Sequence, residues 1–238
     1  MISDILKDPF GLAIQDYISN QHEENIIVHS ELCDEDVIPV QYLFRSYDEM
    51  PVLEQKALEL AKGKILDVGA GAGCHAKYLH EQNRDVFAIE ISKRSVEYYQ
   101  SLHIPSACID FFDMTKKYDT LLFLMNGIGL GGQLANLEKT LLKCKELMLR
   151  GGQILCDSTD IKYMYEDEDG SYWMDLNSNY YGEFKFQTTY KNAVSDWFDW
   201  LYVDFETLKK VASSCNMTAE LVQQGENHDY LAKIVSND

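Results

Sequence analysis

The stretch Lys64–Leu79, KILDVGAGAGCHAKYL, decides the reading of this chain. An apolar run at 64–68 leads straight into glycines at 69, 71 and 73, and a helical pattern begins after them. A glycine-rich turn from strand to helix lets backbone N–H groups approach a ligand closely, and the helix N-terminus adds a field that favours anions. Three chemistries use such turns. A phosphate-cradling nucleotide loop needs G-x-x-x-x-G-K-[ST], and no Lys-Ser or Lys-Thr follows here. The dinucleotide fingerprint G-x-G-x-x-G is met at Gly69 and Gly71 but fails at Cys74. What stands is Asp67-x-Gly69-x-Gly71-x-Gly73, three alternate glycines behind an acid.

Further apolar runs follow: DVFAIEI (85–91), SACIDF (106–111), DTLLFLMN (119–126) and GQILCDS (152–158). Each is continuous rather than alternating, as expected of strands buried on both faces of a parallel sheet. The segments between them have helical spacing. The clearest runs from about Gly132 to Met148, with Leu134, Leu137, Leu141, Cys144 and Met148 on one stripe, and Arg150-Gly151-Gly152 is expected to end it. Repeated strand–helix units predict an α/β fold with a doubly wound, mostly parallel sheet and right-handed crossovers. AELVQQ and YLAKIVS, joined by the turn 225–229, predict a terminal hairpin that brings the sheet to seven strands.

Two segments lie outside this pattern. Residues 1–50 read as an N-terminal cap with a helix over 11–18, a short strand over 26–29 and the irregular IPVQYLFRSYDEMP; Pro51 opens the next helix and Gly63 closes it. Residues 161–204 read as an aromatic, acidic β-flap or substrate lid. Eleven aromatics fall within 172–202, starting with Tyr172 and Trp173, and EFKFQTTY and DWFDWLYVD alternate with a period near two. The main domain is therefore expected over 51–160 and 205–238.

The glycine motif with its preceding acid resembles motif I of the class I S-adenosylmethionine-dependent methyltransferases. The likeness extends to the next strand ends: Glu90 about twenty residues on, Asp110 in CIDFFD, and Met125-Asn126-Gly127 after the fourth strand. It spans residues 64–160, and the terminal hairpin suits the same family. The resemblance implies a Rossmann-like fold with S-adenosyl-L-methionine as co-substrate and no metal. It further implies a cofactor site of Asp67, Gly69, Ala70, Gly71, Gly73, Glu90, Ile91, Asp110, Phe111, Met125 and Asn126. In such a site Asp67 supports the methionyl amino group and Glu90 accepts from the ribose hydroxyls. Asp110 accepts from the adenine amino group, and the Phe111 N–H meets the ring. Arg45 lies in a segment that folds over the cofactor in this family, and is expected to pair with the donor's carboxylate or with an anionic substrate; a plain surface arginine is the alternative. His75 reads as packing or capping. Segments MNGIGL and FDWLYVDF give the nearest likeness to bacterial members and imply no substrate.

Methyl transfer from a sulfonium needs proximity and orientation, and a base only if the acceptor carries a proton. His228, in the terminal turn, is the candidate base, and Asn126 either lines the donor site or simply makes a turn. No Pro-Pro-Tyr follows Asn126, which counts against amino-methylation of adenine or glutamine. A formal charge of −18 without a basic cluster excludes nucleic acid and anionic membrane as partners. No C-x-x-C pair occurs among the six cysteines, Cys108 and Cys156 read as core, and the acidic run 166–169 lacks the spacing of a calcium loop. No signal peptide or membrane span is legible, so a soluble cytoplasmic protein is expected. The flap's acids and aromatics suit a cationic or amine-bearing small-molecule acceptor. The same rings could instead pack the flap onto the core or onto a second subunit, as a homodimer. A cofactor-binding regulatory protein, a protein-side-chain methyltransferase and a nicotinamide oxidoreductase are the competing readings.

Overall fold

The computed structural model describes residues 2, 4–21, 24–167 and 179–238, which fold into two sheets sharing one cleft. The chain opens with α1 (Pro9–Ile18), β1 (Ile26–Ser30) and β2 (Asp36–Ile38), then two 3-10 turns over Val40–Phe44 and Tyr47–Glu49. Next come α2 (Val52–Leu60), β3 (Lys64–Val68), α3 (Cys74–Glu81), β4 (Asp85–Glu90), α4 (Lys93–Ser101), β5 (Ser106–Cys108), β6 (Tyr118–Phe123), α5 (Leu134–Leu147) and β7 (Met148–Thr159). The last third holds β8 (Glu183–Tyr190), β9 (Ala193–Val194), β10 (Phe198–Leu201), α6 (Phe205–Ser214), β11 (Met217–Gln224) and β12 (Asp229–Ser236).

The larger sheet has seven strands in the order β11-β12-β7-β6-β3-β4-β5. Five core strands are parallel, and β12 runs antiparallel to both β7 and β11. Successive side chains on a strand point to opposite faces, so apolar neighbours divide between two cores. Ile65, Leu122, Leu155 and Leu231 pack under α2, α3 and α4. Leu66, Leu121, Ile154 and Ala232 pack under α5 and α6. Leu121 and Leu122 are both fully buried, each contributing about 1.5–3 kcal/mol of apolar burial. Helices cover both faces, which is why these runs were continuous in sequence. This is the doubly wound, mostly parallel fold the strand–helix alternation predicts.

Several boundaries differ from the sequence expectation. The third core strand stops at Cys108, because Asp110 caps a 3-10 turn through the Phe112 N–H at 2.8 Å. Cys108 is half-buried rather than core, whereas Cys144, Cys156 and Cys215 are buried. Helix α5 ends at Leu147, and Gly151 (φ +75°) sits in an irregularity of β7 rather than ending the helix. Helix α2 ends at Leu60, with Gly63 two residues past its cap.

The largest difference is the second sheet, ordered β10-β8-β1-β2, with β9 paired to β8. Flap strands β8 and β10 form the expected hairpin, but β1 from the N-terminal cap pairs with β8. Strands β1 and β2 of the first segment and β8, β9 and β10 of the second thus build one sheet. Tyr172, Trp173, Asp175 and the acidic residues at 168–169 lie outside the described residues.

This layer also explains the glycines after β6. A Cβ on Gly129 would meet the Leu201 carbonyl and come within 2.7 Å of the Trp200 indole nitrogen, and one on Gly132 would lie 2.9 Å from Asp199. MNGIGL and FDWLYVDF are two surfaces of one packed joint. Gly129→Ala is expected to destabilise the chain by about 1–3 kcal/mol through overpacking. Urea denaturation followed by circular dichroism measures this, and an unchanged midpoint would show that the joint has slack.

Candidate functional site

Gly69 (φ +68°) and Gly71 (φ +60°) adopt a backbone conformation that L side chains rarely take. A Cβ on either would meet nothing within 4 Å, because both residues border the cleft. Gly73 differs: its Cβ would come within 2.8 Å of the Tyr99 ring. Two of the three glycines therefore leave room for a ligand, and the third lets a helix pack. The loop is held from below. Tyr99 donates its hydroxyl to the Gly71 carbonyl, and the Gly69 N–H donates to Ile89 at 3.0 Å. The Gly71 N–H donates to Glu90 Oε2 at 3.0 Å, while Glu90 Oε1 takes the Ile91 N–H at 2.7 Å. Burial pushes the Glu90 carboxyl up, and these N–H donors oppose that.

Behind the loop lies a cluster that the sequence reading did not assemble. Glu54 Oε2, on α2, accepts from Arg45 Nη2 at 2.5 Å and meets His75 Nε2 at 2.6 Å. All three side chains are at most 5 % exposed. Burial alone would raise Glu54 and depress His75. The His75 and Arg45 partners outweigh it at Glu54, and Cys74, Glu54 and Asp67 outweigh it at His75, whose pKa stands well above the ordinary imidazole value. Arg45 is neither a surface residue nor part of the cleft lining, which corrects the expectation of a ligand-facing cation; its Nη1 donates to the Tyr42 backbone carbonyl at 2.8 Å. The sequence held one signal. Leu53, Ala57, Leu58 and Ala61 make the buried stripe of α2, and Glu54 sits within it. Asp67 reaches the edge of this cluster, is 2 % exposed, and has an Oδ2 with no hydrogen-bond partner. Burial pushes its carboxyl up while the charge of His75 pulls it down.

On the other side of β3, Met125 (φ +60°) and Asn126 (φ +56°) form a strained turn after β6. The Asn126 N–H donates to Asp157 Oδ1 at 3.1 Å, and Thr159 Oγ1 donates to Asn126 Oδ1 at 3.1 Å. Burial and the nearby Glu54 push Asp157 up to about 7, against the Asn126 N–H and His75. A buried acid raised in this way binds a proton that the unfolded chain has released. Its contribution to stability therefore falls by about 1.4 kcal/mol per pH unit between its unfolded value near 3.9 and about 7. Asp157→Asn, which keeps the acceptor, is expected to stabilise the chain at pH 8.5 and to leave it nearly unchanged at pH 4.5. Denaturant titrations at the two pH values check this, and equal effects at both would refute it.

These strand ends open into one cleft of about 1450 Å³. Asp67, Gly69, Ala70, Gly71, Glu90, Ile91, Asp110, Phe111 and Met125 all line it, as does the N-terminal stretch from Lys7 to Phe10. Gly73, Asn126 and His228 are not part of the lining, and His228 is exposed. His228 (φ +58°) stacks on Tyr163 at 4.8 Å, and its neighbours Asn227 and Asp229 reach the cleft. The terminal turn is at the cleft edge because β11 runs parallel to the core, and the Asp160 N–H donates to the His228 carbonyl at 2.9 Å. The opposite wall is the second sheet. Among the described residues, no group of three His, Cys, Asp or Glu side chains is placed to hold a metal ion, and no helix is long and apolar enough to cross a membrane.

The chain is similar over 99 % of its length to a SAM-dependent methyltransferase from Bacteroides fragilis solved in complex with S-adenosyl-L-homocysteine. The two are 42 % identical, superpose with a TM-score of 0.92, and the match covers 98 % of that chain. An S-adenosylmethionine-dependent methyltransferase from Clostridium acetobutylicum matches at 11 % identity and TM-score 0.55, over 76 % of this chain and 87 % of its own. The sugar N-methyltransferase KedS8 from Streptoalloteichus matches at 16 % and 0.54, over 78 % and 85 %. These last two likenesses are of fold alone. No protein-family model and no curated protein matches the sequence.

Proposed function

The chain belongs to the S-adenosylmethionine-dependent methyltransferases, and from that premise we propose how its own residues seat the donor and where a small-molecule acceptor enters. It is an enzyme, and S-adenosylmethionine is its co-substrate. The observation that carries the seating is the pairing of open space above Gly69 and Gly71 with the orphaned Asp67 Oδ2 beside it. A buried carboxylate oxygen without a partner suits an ammonium group, and two glycines facing open space suit a close-lying ligand. Asp67 thus takes the methionyl amino group. Glu90, already fixed by Gly71 and Ile91, offers its remaining acceptor positions to the ribose. Asp110, with Oδ1 committed to Phe112, presents its other oxygen to the adenine edge beside Phe111.

When bound, the donor supplies a methyl group already activated by its positive sulfur. The chain's contribution is orientation. Met125 borders the cleft at the strained turn, and Asn126 holds that turn through Thr159 and Asp157. We assign positioning roles to Asn126 and to His228, which acts through Tyr163, because neither side chain borders the cleft. Arg45 positions Glu54 and, through it, His75 beneath the loop. The acceptor enters between β6, β7 and the second sheet, whose Phe184, Phe186 and Trp200 line the cleft. Six free cysteines fit a reducing cytoplasm.

Calorimetry with S-adenosylhomocysteine tests the seating: binding by wild type and at least tenfold weaker binding by Asp67→Ala is expected. Equal affinity in the variant would refute the assignment of Asp67. Release of S-adenosylhomocysteine in the presence of small-molecule acceptors, and not of peptides, supports the acceptor class.

A further inference from the structure

The inward face of the second sheet is set by its register. Asp36 lies opposite Val28, and Val28 opposite Thr188; Phe186 lies opposite Phe198, and Phe184 opposite Trp200. Residues paired across antiparallel strands share a face, and all of these border the cleft. An acid and a set of rings therefore come from two distant parts of the sequence onto one wall. The rings form a continuous cluster: Phe184 stacks on Phe186 at 5.5 Å, and Tyr202 meets both edge-on at 5.6 and 6.3 Å. Phe186 and Phe198 are 6.3 Å apart. Tyr202 marks how near the acid is. Burial, and after it the negative charge of Asp36, pushes its phenol up to about 12.

The charges of the cleft are unbalanced. Among the described residues lining it, the only basic side chains are Lys7 and His75. Lys7 is paired with Asp196, and His75 with Glu54. Asp36 is exposed to the cleft, and its Oδ1 takes only the N–H of the next residue, at 2.7 Å. A ring face attracts a cation through its quadrupole, and a carboxylate beside it adds charge. Neither attracts an anion.

We propose that this wall recognises a small organic cation: the acceptor carries a protonated amine, held over the rings of the second sheet with its charge toward Asp36. This rests on the reading of the glycine-loop side as the donor site. The acceptor's apolar part lies against Phe184, Phe186 and Trp200. Its ammonium group sits beside the Asp36 carboxylate, and a carboxylate in the same place would face like charge.

The test uses the full chain saturated with S-adenosylhomocysteine and titrated in a calorimeter. The probes are benzylamine and tyramine, each against its alcohol and carboxylate counterpart. Amines are expected to bind at least tenfold more tightly than their counterparts, with the advantage shrinking as salt rises. Asp36→Asn is expected to weaken amine binding about tenfold and to leave S-adenosylhomocysteine affinity within twofold. Phe186→Leu, which keeps apolar bulk without a ring face, is expected to weaken amines several-fold and alcohols little. Amines that bind no better than alcohols or carboxylates, including no binding by any probe, overturn the proposal. So does an unchanged amine affinity in Asp36→Asn, which would leave Asp36 as a charge guarding the edge strand β2. A chain that fails to bind S-adenosylhomocysteine at all would instead remove the donor site on which the proposal stands.

Discussion

Glu54→Ala is expected to cost about 3–5 kcal/mol of stability, more than any other single change at the site, because it leaves two buried cations without a counter-ion. Arg45 and His75 both converge on Glu54 Oε2, and both side chains are at most 5 % exposed. A guanidinium cannot neutralise itself, so the loss cannot be relieved there by releasing a proton. His75 can release one, so its pKa in the variant should fall from the raised value it holds beside Glu54. The pH dependence follows from the directions of the shifts. His75, raised in the fold, contributes stability that is complete below its unfolded value near 6.5 and is lost as pH rises through the folded one. Glu54, lowered in the fold, contributes above its unfolded value near 4.3 and is lost as pH falls through the folded one. Wild type is thus most favoured between these limits, and the variant should lose that maximum. Thermal melts over pH 4–9 measure both effects; for a chain of this size the drop is roughly 6–20 °C. A melting point within 2 °C of wild type would mean that the cluster is not the buried ion network described.

Glu90→Ala is expected to weaken S-adenosylhomocysteine binding by about a hundredfold, close to 3 kcal/mol, with a smaller loss of stability. Two effects add. The carboxylate fixes the Gly71 N–H and the Ile91 N–H, so its removal loosens the loop that borders the cleft. It also removes the acceptor oxygens assigned to the ribose hydroxyls. Glu90→Gln keeps one acceptor but turns an N–H toward a donor, and should fall between, near tenfold. Calorimetry separates the contributions, since loop loosening alone would weaken every adenosine ligand alike, with or without a 2′-hydroxyl. Full affinity in Glu90→Ala would remove Glu90 from the donor site.

The seven-stranded sheet was legible because it rests on local signals. Continuous apolar runs, alternate glycines and an acid at the end of each of the first three runs are each read within one short stretch. Asp67, Glu90 and Asp110 stand at strand ends or just beyond them, as that pattern requires. The rest depends on meetings between distant residues. Arg45, Glu54 and His75 belong to a 3-10 turn's end and two different helices, and no spacing rule joins them. Only the acid in an apolar helical stripe hinted that something waited opposite. The pairing of β1 with β8 left no local trace either. The run at 26–29 looked like a strand, but its partner could not be read from it. Gly132 reads as the start of a helical stripe and Gly129 only as part of MNGIGL; the reason for both, the arrival of β10 against them, lies about seventy positions away.

The second sheet has a consequence for synthesis. His29 and Thr189 are hydrogen-bonded neighbours across β1 and β8, yet stand 160 positions apart. At roughly 5–20 residues per second, β1 leaves the ribosome on the order of ten seconds before its partner exists. Its only early companion is β2, which shields one edge and leaves the other bare. Strand edges left open in this way invite pairing with another chain. The nascent protein should therefore be most prone to aggregate through Ile26–Ser30 during that interval, and the second sheet cannot close until β8 and β10 have been made.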